Sequence, residues 1–115
     1  MAEYLILIYQ DENAVEQADP STLTSVTTGH QTFGANHGAS IRGGNALQPS
    51  GSATSVRPDG AGGFTITDGA FAETKEALGG YYLVEAGDLD EAIALAREIP
   101  SPFGSIEIRP VRPMP

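Results

Sequence analysis

Two short runs decide most of what this chain is able to fold into. Tyr4-Leu5-Ile6-Leu7-Ile8-Tyr9 and Tyr81-Tyr82-Leu83-Val84 are apolar at both parities. Side chains of a strand alternate between its two faces, so a strand of this kind has to be covered on both sides. The natural place for each run is the middle of a sheet, with helices on one face and another layer on the other. At 115 residues the chain makes one domain, residues 1–115, with room for about two helices. Two helices cover only one face of a sheet. The second face is therefore expected to meet a second subunit, and a homodimer is the expected state.

The helices announce themselves by their ends. Residues 20–37 read as the first, with Asp19 as N-cap, Pro20 at the first helical position and Gly38 just beyond the last turn. Leu23, Val26, His30, Phe33 and His37 form one narrow stripe, while Gly29, Gly34 and several threonines weaken intrinsic helicity, so this helix depends on packing. Residues 88–99 read as the second. Asp88 and Glu91 make a capping-box-like pair, Leu89, Ala92, Ile93, Ala96 and Ile99 make the apolar face, and Pro100 ends it. Residues 40–47, 54–57 and 64–67 read as short strands, separated by a loose segment at 48–53 and a turn near 59–63. The order β-α-β-β-β-β-α-β predicts an α+β sandwich, ferredoxin-like, with an antiparallel or mixed sheet carrying two main helices on one face.

Charge and composition narrow the partners. Fifteen acidic residues stand against six basic ones, a formal net charge of −9, and the basic residues are scattered. Phosphate backbones are repelled by such a surface, so no nucleic acid is expected as a direct partner. With no cysteine, disulfides, thiolate metal ligands and cysteine nucleophiles are excluded. The amino terminus lacks a basic region before its apolar run, and that run is too short for a bilayer, so a cytoplasmic protein without membrane contact is expected. No phosphate loop, dinucleotide-binding glycine motif or nucleophile elbow occurs, and no cofactor is expected.

A few residues are equipped for chemistry. His30 lies in the apolar stripe between Val26 and Phe33, where a half-buried imidazole needs a hydrogen-bond partner. Asp68, in the turn dipeptide Asp68-Gly69, is the candidate partner: such a pair fixes the imidazole tautomer and leaves the other nitrogen as general acid or base. The competing reading is a core histidine satisfied by backbone or water. His37 is one heptad further, roughly 10 Å along the axis, too far to share a metal ion with His30, and it suits the negative end of the helix dipole. No metal site is expected. Arg42, ahead of Gly43-Gly44, offers a planar guanidinium to a substrate carboxylate, or else forms an ordinary surface ion pair. Glu73 and Lys75 either orient a ligand or are solvated, Phe71 anchors the same loop beside the ligand, and Tyr82 is the tyrosine placed to line a pocket.

The string Thr67-Asp68-Gly69-Ala70-Phe71-Ala72-Glu73-Thr74-Lys75-Glu76, followed by Leu78-Gly79-Gly80-Tyr81-Tyr82, resembles the signature of the YCII-related proteins of the DGPF type, with Ala70 where they usually have proline. The likeness continues in Tyr4 to Asp11, in Gly43-Gly44-Asn45-Ala46-Leu47 and in Ser105-Ile106-Glu107-Ile108-Arg109-Pro110, so it runs nearly the full length. The resemblance implies the ferredoxin-like fold paired as a dimer and a catalytic His and Asp pair, with His30 and Phe33 matching the family's helix position. Similar dimers include lactone isomerases and a dehalogenase, which implies proton transfer next to a carbonyl or carboxylate of a small molecule. Relatives often occur near or fused to extracytoplasmic-function sigma factors, which implies the alternative: a non-catalytic regulatory domain that binds a ligand or a protein in transcription control. The alanine at position 70 makes the loop less rigid and tilts toward that alternative.

Overall fold

The computed structural model describes residues 1–70 and 74–114. Among them six strands and three helices follow in the order β1 (Ala2–Gln10), α1 (Glu12–Gln17), α2 (Pro20–His37), β2 (Ile41–Ala46), β3 (Thr54–Pro58), β4 (Phe64–Asp68), β5 (Ala77–Ala86), α3 (Leu89–Ala96) and β6 (Gly104–Pro110). The main sheet has the order β2-β5-β1-β6 and every pairing in it is antiparallel. The two strands with two-sided apolar patterns, β1 and β5, are its central pair. This is the ferredoxin-like α+β arrangement, with β3 and β4 added as a separate two-stranded hairpin.

The core lies between this sheet and the helices. Tyr4, Ile6 and Ile8 of β1 and Val84 and Ala86 of β5 share one face and meet Phe33 of α2 and Ala92, Leu95, Ala96 and Ile99 at α3. Register explains the sharing, because Tyr4 sits opposite Val84 and Ile6 opposite Tyr82. The opposite parity, Leu5, Leu7 and Leu83, forms the other face of the sheet, with Leu5 opposite Leu83 and Leu7 opposite Tyr81.

Capping matches the residues that mark the helix ends. Asp19 accepts from the Thr22 N–H at 3.0 Å, and Asp88 accepts from the Glu91 N–H at 2.9 Å. Three local expectations are corrected. Gly38 remains right-handed, with φ −53°, and the chain leaves α2 through successive turns. In α3, Leu89 at the first turn is 50% exposed, whereas Leu95 is buried in the core. Helix α1 was not expected: Asp11 nucleates it by accepting from the Asn13 and Ala14 N–H groups at 3.0 and 3.3 Å. Its Glu12 then accepts from the Ser50 N–H at 2.7 Å and from the Ser50 hydroxyl, which fixes the segment after β2. Among the described residues no helix is long and apolar enough to cross a membrane.

Candidate functional site

Only one residue of α2, Phe33, is fully buried, and Leu23 near its start is 40% exposed. The reason is visible beneath the helix. On the helix-facing side of the sheet, Gly44 lies opposite Tyr82, and Gly80 lies opposite both Ile8 and Ala46. No large side chain rises from Gly44, Ala46 or Gly80 to fill the space under Val26, Thr27 and His30. A cavity of about 510 Å³ is left between α2 and the β2–β5 edge, within the roughly 300 to 1,000 Å³ range of small-molecule sites. Gly44 is required there, because a Cβ on it would lie 2.8 Å from the Tyr81 carbonyl oxygen and 3.0 Å from Tyr82 Cδ1.

His30 and Tyr82 stand together in the wall of this cavity. His30 Nδ1 lies 2.7 Å from the Tyr82 hydroxyl oxygen, and the two rings stack with centroids 5.8 Å apart at 30°. Phe33 supports the pair with an edge contact to Tyr82 at 5.0 Å. Burial lowers the His30 pKa from its ordinary value, since desolvation disfavours the imidazolium. Burial raises the Tyr82 pKa for the same reason, so the phenol stays neutral. The pair is thus a neutral imidazole joined to a neutral phenol. The His30 Nε2 makes no hydrogen bond to any described residue.

This arrangement assigns His30 a different partner from the one expected. Asp68 ends β4 opposite Thr54, in the separate hairpin; its carboxylate is exposed and makes no hydrogen bond to a described residue. The turn after it is as its composition requires: Gly69 has φ +94° and donates its N–H to the Ala53 carbonyl at 2.6 Å. Arg42 lies outside the cavity. Its Nε and Nη2 donate to Glu85 Oε2 at 3.1 and 2.9 Å, and its Nη1 donates to the Ala39 carbonyl at 2.7 Å. Lys75 is exposed beyond the cavity wall. Phe71 and Glu73 lie outside the described residues. His37 closes α2 with Nε2 2.7 Å from Glu98 Oε2 and its ring tilted against Phe33 at 5.3 Å.

Sequence reasoning missed the Tyr82 partnership and the small residues that make the cavity. The parity of Tyr82 matches that of Val84, which places it on the core face and within reach of α2. That signal was present in the sequence. A second cavity, about 430 Å³, lies beside the signature residues Ala70, Thr74 and Glu76 and is bounded on its other side by Pro49, Ser50 and Ser52.

An uncharacterised protein of Rhizobium meliloti (strain 1021) is 45% identical over 69 residues, covering 56% of this chain and 54% of that protein. The chain therefore spans about half the length of that relative. The family description for the YCII-related domain matches residues 2–115, essentially the whole fold built from β1 to β6, and the chain belongs to the YCII-related family.

Proposed function

We propose that the protein carries out acid–base chemistry on a small carbonyl-bearing molecule bound between α2 and the sheet, with His30 as the proton carrier and Tyr82 as its partner. The observation that supports this is the 2.7 Å contact between His30 Nδ1 and the Tyr82 hydroxyl in the wall of the 510 Å³ cavity. With the proton on Nδ1 and the phenol oxygen accepting it, Nε2 holds a lone pair and accepts a proton from the substrate. Burial disfavours the resulting imidazolium, so the proton is returned readily to another substrate atom. Neither Asp68 nor Arg42 lines the cavity, so neither has a part in this reading.

The test is exchange of solvent deuterium into the carbon next to the carbonyl of a panel of small ketones and lactones, followed by NMR. His30→Gln is expected to slow exchange about a hundredfold or more. Equal exchange by wild type and variant would refute catalysis by His30.

The same chain is proposed to act as a homodimer. Its extents are 49 × 46 × 18 Å and its radius of gyration is 16.3 Å, against about 13 Å for a compact chain of this length. Among the described residues the buried core lies on the opposite face of the sheet from Leu5, Leu7 and Leu83, and a second copy would supply a layer over these leucines. Light scattering is expected to return twice the chain mass, and Leu7→Lys to reduce it to one.

A second reading is favoured by the cavity beside Ala70 and Thr74: a binding domain whose signature loop recognises a ligand without turning it over. Under that reading a bound ligand would protect the amides of residues 74–78 from hydrogen exchange, and His30→Gln would leave its affinity unchanged.

A further inference from the structure

We infer that the cavity under α2 selects an electrically neutral molecule, with a carbonyl, amide or hydroxyl head and an apolar body, and discriminates against carboxylates and ammonium ions. This rests on the reading of the cavity as the reaction site and adds the class of compound it takes. Among the described residues, no aspartate, glutamate, lysine or arginine lines the cavity. Of the described lining residues, the paired His30 and Tyr82 are both shifted toward their neutral forms by burial. Arg42, the cation nearest in sequence to the β2 wall, is already engaged by Glu85 and the Ala39 carbonyl.

An ion entering this space would shed water without meeting a counter-charge, which is strongly unfavourable. An anion would also meet the field of a chain with net charge −9. The polar groups that remain are of the opposite kind. Gln10 and Gln31 line the cavity with carboxamides that make no hydrogen bond to a described residue, and each offers both a donor and an acceptor. Ile8, Val26 and Ala46 supply apolar wall, and Gly80 leaves backbone open to close approach by a flat molecule. Dual donor–acceptor groups on an apolar floor match a neutral polar head on an apolar body.

The test uses three probes with one ring and three heads: benzamide, benzoate and benzylammonium, titrated into the full chain at pH 7.5 with amide and imidazole nitrogen shifts as readout. Benzamide is expected to move the Gly80 and Ala46 amides saturably and to bind at least tenfold tighter than either ion. Thr27→Trp, a change at an exposed helix position over the cavity, is expected to abolish those shifts. Gln31→Arg is expected to raise benzoate affinity at the same amides. Benzoate or benzylammonium binding as tightly as benzamide would overturn the inference, and so would no binding by any of the three. If benzamide binds there but leaves the His30 imidazole resonances unmoved, the selectivity stands and the acid–base reading fails.

Discussion

His30 Nδ1 and the Tyr82 hydroxyl, 52 residues apart in sequence, meet at 2.7 Å and tie α2 to the centre of the sheet. The contact does two jobs. It satisfies the polar end of a half-buried tyrosine, and it orients an imidazole at the edge of a cavity. Tyr82→Phe keeps the ring and its edge contact with Phe33 but removes the hydroxyl. It is expected to cost about 1 kcal/mol, the net worth of a typical hydrogen bond, read from the urea midpoint at unchanged slope.

The burial of His30 makes stability depend on pH in a definite direction. Its folded-state pKa is lowered from 6.5, so the unfolded chain binds the proton more readily than the folded one. Its contribution is fully present above about pH 6.5 and is lost as pH falls through the folded value. Stability measured by urea titration should therefore decline as pH falls from 7 toward 5, and His30→Gln should flatten that decline. A decline of the same size in the variant would remove His30 as its cause.

Phe33 carries the docking of α2. It is 1% exposed and touches both Tyr82 and His37, while the rest of the helix stripe is at least partly open. Phe33→Ala is expected to destabilise the fold by about 3 to 5 kcal/mol, the usual cost of emptying a buried aromatic site. Hydrogen exchange should then rise through α2 before it rises in β1 and β5.

Gly44→Ala probes the close antiparallel pairing of β2 with β5. The added Cβ would meet the Tyr81 carbonyl at 2.8 Å, and backbone on both sides has little room to give. A loss of about 1 to 3 kcal/mol is expected, with shift changes centred on Tyr81 and Tyr82. Gly43→Ala, where a Cβ meets nothing within 4 Å, is the matched control and should be far milder.

The architecture was legible because its signals are local. The two-sided patterns of β1 and β5, the Asp19-Pro20 start of α2 and the Asp88 cap of α3 each rest on a few neighbouring residues. Helix α1 was not legible, because its six residues have little apolar periodicity and its start depends on the Asp11 side chain and the tie from Glu12 to Ser50. Leu89, at the start of the expected stripe, is half exposed, while Leu95, outside that stripe, is buried. The site was half legible. His30 and Tyr82 were both candidates, yet their pairing depends on strand register and helix placement, which no local pattern contains. The cavity is made by the small size of Gly44, Ala46 and Gly80 at facing positions of β2 and β5, and such an absence of bulk becomes visible only once the strands are paired.

The most direct test of the central claim is an NMR titration of the His30 imidazole nitrogens in the wild type and in Tyr82→Phe. The His30–Tyr82 pair predicts a midpoint below 6.5 in the wild type, one favoured neutral tautomer, and a changed tautomer balance when the hydroxyl is removed. A midpoint at the ordinary histidine value, with a tautomer balance indifferent to Tyr82→Phe, would contradict it.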